Sequence, residues 1–152
     1  MKISSGLRIN LVTTMYLIDT NVISEARKKT KANIGVRRFF KQAVNDESRI
    51  FISVVTVGEL RRGVESIRHR GDTRQANQLE KWLGELLVNY QDHILDINQD
   101  IAQLWGQLRV PHPENALDKQ IAATALIYDL TVVTRNCKDF VKTGVPVFDP
   151  WV

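Results

Sequence analysis

Three acidic side chains, those of Asp19, Glu59 and Asp118, lie in similar settings along the chain. Each stands beside an apolar segment that should be buried, at a predicted strand end or in the first turns of a predicted helix. Carboxylates that share one cleft repel each other, so either their pKa values rise or a cation joins them. Because these are hard oxygen ligands with no cysteine or histidine nearby, the pattern favours Mg²⁺ or Mn²⁺.

The elements that must position these acids follow from the hydrophobic pattern, in which short apolar runs alternate with amphipathic segments. The runs predict strands at 15–19, 49–53, 93–97 and 130–134, with a fifth candidate at 145–148. The amphipathic segments predict helices at 33–45, after residue 53, from the break at Gly71-Asp72 to about residue 90, around 101–108, and at 117–129. This alternation predicts an α/β fold, with a parallel sheet of four or five strands and helices on both faces.

In such a sheet the ligand crevice lies at the carboxyl ends of the strands. Asp19 ends the first predicted strand, and residues 134–136 end the fourth, with Asp139 shortly after them. Asp118 falls in the first turn of its helix, where the helix dipole favours an anion, and Glu59 falls early in the helix after the second strand. We therefore expect all these side chains to face the same crevice.

The composition is that of one globular domain, with 152 residues, 43% hydrophobic and 25% charged residues, and a net charge of +4. We assign residues 15–152 to the domain and residues 1–14 to an N-terminal extension. The positive charge weakly favours an acidic partner such as nucleic acid. The single cysteine, Cys137, fits a reducing compartment, and no apolar run approaches the roughly 20 residues of a membrane span, so a cytoplasmic location is expected.

Five segments, in order, resemble the PIN-domain proteins, in particular toxin ribonucleases of the VapC and FitB type. They are Leu-Ile-Asp-Thr-Asn, Val-Gly-Glu-Leu-Arg-Arg-Gly, Leu-Asp-Lys-Gln-Ile-Ala-Ala-Thr-Ala, Val-Thr-Arg-Asn-Cys-Lys-Asp-Phe and the Asp-Pro-Trp ending. The resemblance spans residues 15–151 and implies a metal-dependent endoribonuclease, the toxin of a toxin–antitoxin pair. It implies that one or two Mg²⁺ or Mn²⁺ ions activate a water for hydrolysis of RNA.

Matched by motif, the resemblance makes Asp19, Glu59 and Asp118 the first three catalytic and metal-binding acids. It makes Asp139 the fourth acid and Asn136 a supporting ligand. Further supporting residues are expected at Thr20, Asn21 and Thr134. Contacts with RNA phosphates are expected from Arg61, Arg62, Lys119 and Arg135.

The resemblance also implies partners. The expected substrate is single-stranded or structured RNA, with transfer RNA favoured. A cognate antitoxin is expected to block the pocket and to bind operator DNA, so that the toxin reaches DNA only indirectly. A homodimer is expected, and no association with a membrane is expected.

Simpler interpretations of the same residues stay open. Asp19 could be only a helix cap, Asp139 could belong to a helix start, and the arginines could be solvated. A phosphatase with Asp19 as nucleophile would want an aspartate where Asn21 stands, and a receiver domain would want acids before residue 18, where there are none. A metal-free scaffold that only binds RNA or a partner would not need three acids kept together.

Overall fold

Five parallel strands form one sheet in the computed structural model, which describes residues 14–152. They are β1 (Met15–Ile18), β2 (Arg49–Ser53), β3 (Ile94–Leu95), β4 (Thr131–Val133) and β5 (Val147–Phe148). Their order across the sheet is β3-β2-β1-β4-β5, and every neighbouring pair is parallel. The predicted α/β class and parallel sheet are confirmed, and the carboxyl ends of all five strands meet at one edge.

The helices in this part of the chain are α1 (Thr20–Ala26), α2 (Ile34–Asn45), α3 (Val54–His69), α4 (Thr73–Asn89), α5 (Gln99–Leu108) and α6 (Ala116–Tyr128). Short 3₁₀ turns cover Lys29–Lys31, Gln91–His93 and Cys137–Thr143. Ser53 caps α3 by accepting from the amide of Val55 at 3.0 Å. Gly71, with a φ of +92°, separates α3 from α4 as predicted.

Helices cover both faces of the sheet because successive strand residues point to opposite sides. Ile18 and Val133 belong to one buried cluster, which includes residues of α1 to α4. Their neighbours Leu17 and Val132 belong to a second cluster, with residues of α6 and the 3₁₀ turn Cys137–Thr143. The central strands are therefore buried on both faces, as their nearly continuous apolar sequence indicates.

Some predicted elements differ from the observed ones. Helix α1 was not predicted, and two strands are shorter than 93–97 and 145–148. Pro146 has no amide hydrogen to donate, although its carbonyl accepts from Val132 at 2.9 Å, so β5 begins only at Val147. The predicted extension lies outside the described residues except for its last residue. Within residues 14–152, no helix is both long and apolar enough to cross a bilayer.

Candidate metal centre

Asp19 lies where β1 passes into α1, and its carboxylate is almost fully buried, with 4% of the residue exposed. It is the N-cap of α1, with Oδ1 accepting from the amide of Thr20 at 2.8 Å. The other oxygen, Oδ2, accepts from the Thr134 hydroxyl at 2.9 Å and from Asn21 Nδ2 at 3.4 Å. The capping interpretation is therefore correct, and it holds the carboxylate in a fixed position at the edge of the sheet.

Glu59 reaches the same place from α3. The hydroxyl of Thr20 donates to Glu59 Oε1 at 3.1 Å and lies 3.4 Å from Thr56 Oγ1. Thr56 is fully buried, so this contact ties the first residue of α1 to the interior side of α3. A single hydroxyl thus connects the two helices that carry the first and second acids.

Asp118 and Asp139 complete the acidic cleft. The pKa of Asp118 is raised to about 6, first by burial and then by the negative charges of Asp19, Asp139 and Glu59, in that order. The pKa of Asp19 is raised as well, mainly by burial and also by the charge of Glu59, against the hydrogen bonds that lower it. Asp118 therefore lies close enough to the other three predicted acids to be repelled by each of them, and Glu59 also repels Asp19.

Around the acids, Thr134 connects Asp19, Asn21 and Asn136. It is fully buried, and its hydroxyl oxygen accepts from the backbone amide of Asn136 at 3.0 Å and lies 3.3 Å from Asn21 Nδ2. Asn21 Oδ1 in turn accepts from the backbone amide of Arg135 at 3.1 Å. Among the predicted supporting residues, Asn136 takes part through its backbone amide, which donates to Thr134, and the residue itself is exposed.

The predicted RNA-binding cations are placed less uniformly. Arg135 and Arg62 are exposed, but Arg61 lies 3.3 Å from Glu65 and 3.4 Å from Glu80 in an ion-pair network. Lys119 is 3% exposed, and its ammonium group donates to the carbonyl of His112. Lys119 is therefore a buried structural residue in this geometry, which does not support the predicted phosphate contact.

The fit to a cation depends on the chemistry of these donors. Within residues 14–152, no three Asp, Glu, His or Cys side chains are arranged so that they could all hold one ion as they stand. Mg²⁺ commonly binds through one or two carboxylates and keeps several waters, so full convergence is not needed. Four neighbouring acids, of which Asp19 and Asp118 have raised pKa values, fit such a hard cation.

Sequence reasoning missed α1 and the part that Thr56 plays beside Thr20 and Glu59. The signal for α1 was present, since an Asp-Thr-Asn segment followed by Val-Ile-Ser-Glu-Ala is typical of a capped helix start. Thr56 gave no such signal, because its contact depends on how α1 and α3 pack.

Comparison with known proteins adds independent information. The sequence matches the PIN domain over residues 16–145. It is 33% identical to "Toxin FitB" of Neisseria gonorrhoeae over 143 residues, covering 90% of this chain and 99% of that protein. It is 28% identical to "VapC ribonuclease Y4jK" of Sinorhizobium fredii, covering 90% of this chain and 98% of that protein.

Two solved structures show the same architecture. The structure of FitAcB from Neisseria gonorrhoeae has a TM-score of 0.77 at 33% identity, covering 90% of this chain and 99% of that one. A toxin–antitoxin complex from Klebsiella pneumoniae has a TM-score of 0.57 at 28% identity, covering 90% and 98%. The likeness extends over nearly the whole length of each of these chains.

Proposed function

The chain belongs to the PIN-domain family, and we propose that it is a metal-dependent endoribonuclease, the toxin of a toxin–antitoxin pair, that hydrolyses RNA phosphodiester bonds with a metal-activated water. The observation that carries this proposal is the gathering of four acids at one edge of the sheet, where burial and then the charges of Asp19, Asp139 and Glu59 raise the pKa of Asp118 to about 6. A cation relieves such repulsion, and a fold would otherwise lose stability by keeping these acids together.

Asp19 and Asp118 are the proposed principal ligands of Mg²⁺ or Mn²⁺, with Glu59 and Asp139 as further ligands, directly or through water. When bound, one or two such ions polarise a phosphate and lower the pKa of a water. The chain itself holds the carboxylates in place: Thr134 and Asn21 fix Asp19, and the Thr20 hydroxyl fixes Glu59.

Partners follow from the relatives. One relative is named a toxin, another a ribonuclease, and a third is a toxin–antitoxin complex. We therefore propose RNA as the substrate, with transfer RNA as the first class to test, and a cognate antitoxin that blocks the acidic cleft. Contact with operator DNA would be made only through that antitoxin, and the toxin would act as a homodimer.

The test is cleavage of total cellular RNA by purified protein freed of antitoxin, with Mg²⁺ or Mn²⁺ and with EDTA. Asp19→Asn is the informative variant, because asparagine can keep the cap of α1 while it removes the charge. Asp129→Asn is its matched control, since Asp129 is exposed and adopts a left-handed conformation, which asparagine also tolerates. Discrete cuts that need metal, disappear in Asp19→Asn and persist in Asp129→Asn are expected.

Thermal unfolding with Mn²⁺ distinguishes the alternatives. A metal site gains stability by mass action, so wild type should unfold at a higher temperature with Mn²⁺, and Asp19→Asn should gain less. Folded wild type that neither cuts RNA nor gains stability would favour the metal-free scaffold instead. Stabilisation by Mn²⁺ without RNA cleavage would support the metal site and would show that the RNAs tested are not substrates.

A further inference from the structure

The tail after β5, residues Asp149–Val152, packs closely against the start of α2. Asn33, the N-cap of α2, accepts from the amide of Gly35 at 2.9 Å and from the amide of Val152 at 3.3 Å, and its Nδ2 donates to the Val152 carbonyl at 2.9 Å. A Cβ atom on Gly35 would lie 1.9 Å from the carbonyl oxygen of Pro150. The tail therefore has a fixed course, in which Trp151 takes a defined place.

Trp151 is partly buried against the first hydrophobic cluster, and its ring also contacts a cation. The guanidinium carbon of Arg135 lies 5.1 Å from the centre of the indole ring. The Asp149 carboxylate accepts from the amide of Trp151 at 2.9 Å, which fixes the turn that presents the ring. The backbone of Arg135 is held separately, because its amide donates a hydrogen bond to Asn21 Oδ1.

The surroundings of Arg135 leave its charge available. Among the described residues no carboxylate forms a salt bridge with it, in contrast to Arg61 and Arg68, which both pair with Glu65 and Glu80. The pKa of Glu25 is lowered chiefly by the hydrogen bonds that it accepts from Lys28 and from the amide of Asn33, and the charge of Arg135 contributes least. An arginine stacked on an aromatic face keeps its N–H edge free for a bidentate contact with phosphate.

Arg135 also stands beside the acidic cleft. It directly follows Thr134, whose hydroxyl holds Asp19, and it is the first exposed residue after β4. A phosphate next to the cleft would therefore meet a guanidinium that is already oriented. Such preorganisation reduces the side-chain entropy lost on binding.

We infer that Trp151 is a positioning residue for Arg135, and that the tail holds this guanidinium at the rim of the cleft to bind a backbone phosphate of single-stranded RNA. The inference rests on the proposed function and deepens it, because it assigns a substrate-binding task to a segment outside the acidic cleft. The simpler alternative is that the stack only stabilises the tail.

The experiment measures binding of a fluorescent single-stranded RNA by anisotropy in EDTA, so that no cleavage occurs, over a series of salt concentrations. The variants are Arg135→Ala, Trp151→Leu, Trp151→Phe and the double variant Arg135→Ala with Trp151→Leu. Arg74→Ala is the charge-matched control, since Arg74 is exposed at the start of α4, which follows the far end of α3. Helix α3 is 16 residues long, or about 24 Å, so Arg74 is remote from the strand ends.

Arg135→Ala should weaken binding about 5-fold and reduce the salt slope of log K by about 0.7, as for one lost phosphate contact. Trp151→Leu should weaken binding about 3-fold when Arg135 is present and have no effect in the Arg135→Ala background, because the indole acts through the guanidinium. Trp151→Phe, which keeps an aromatic face, should retain most of the wild-type affinity for RNA. Arg74→Ala should change binding less than Arg135→Ala.

An unchanged effect of Trp151→Leu in the Arg135→Ala background would overturn the inference, because the indole would then act only on the fold. RNA binding by Arg135→Ala equal to wild type would overturn it as well. Both results leave the nuclease proposal intact. Wild type that neither binds nor cuts RNA would instead reject the proposed function together with this inference.

Discussion

Replacing Asp118 with asparagine is expected to stabilise the metal-free protein while it abolishes metal-dependent cleavage. In the folded protein the pKa of Asp118 is raised from 3.8 to about 6, by burial first and then by three neighbouring acids. An unfolded chain therefore ionises this group at lower pH than the folded chain does. Keeping the charged form in the cleft costs stability, which the neutral asparagine restores.

The magnitude follows from that difference in pKa. At 1.36 kcal/mol per pKa unit, the step from 3.8 to about 6 corresponds to about 3 kcal/mol of unfolding free energy. Because the side chain is only partly buried, screening by solvent reduces this to about 1.5 kcal/mol. Loss of a negative charge in the first turn of α6 removes about 0.5 kcal/mol, so the net gain is about 1 kcal/mol, or about 3 °C in Tm.

The difference in stability between wild type and Asp118→Asn should depend on pH in a definite direction. Well below pH 3.8 the carboxyl group is protonated in both folded and unfolded protein, so wild type and Asp118→Asn, both neutral at this position, should have nearly equal stability. Between pH 4 and about 6 the unfolded state releases its proton first, so wild type loses stability relative to the variant. Above that window the difference should be constant.

The assay is thermal unfolding of wild type, Asp118→Asn and the control Asp129→Asn in EDTA, at pH values from 4 to 8. Equal Tm values for wild type and Asp118→Asn at pH 8 would refute the idea that repulsion in the cleft costs stability. The same scans with Mn²⁺ should reverse the order, because only wild type would gain fully from the ion.

Three further predictions follow from the same contacts. Stabilisation of wild type by Mn²⁺ should weaken as pH falls below about 6, since protons then compete for Asp118, and thermal scans at fixed Mn²⁺ would detect this. Thr134→Val should cost about 1–3 kcal/mol in urea unfolding and lower the cleavage rate, because it removes the hydroxyl that donates to Asp19 at 2.9 Å; unchanged values would contradict the assigned contact. Gly35→Ala should cost about 1–3 kcal/mol, because its Cβ would meet the Pro150 carbonyl at 1.9 Å; a protein as stable as wild type in urea would show that the tail can shift freely.

The position of the acids could be predicted from the sequence because topology fixes it. Once β1 and β2 are recognised as parallel neighbours, the residues after them must share an edge, and a helix start places its first-turn acid there too. Asp19 and Asp118 needed only this argument. No knowledge of side-chain packing was required to bring them together.

Other features depend on contacts that local sequence patterns do not encode. The sequence offers Lys119 as a cation beside the third acid, but packing of α6 buries its stem and turns its ammonium group toward the His112 carbonyl. The stack of Trp151 on Arg135 joins residues 16 positions apart and depends on the course of the tail across α2. Neither Lys119 nor Trp151 lies in a periodic sequence pattern that indicates its contact partner.

The two interpretations of Asp19, as a helix cap and as a metal ligand, are compatible. A carboxylate has about four acceptor positions, and Asp19 uses three of them for Thr20, Asn21 and Thr134. The remaining position is the one that a cation can use. Because the three protein donors already fix this carboxylate, the fold positions the first ligand, and a bound ion would add stability without having to order Asp19. This division of the oxygen atoms explains how a buried acid can stay in place when metal is absent.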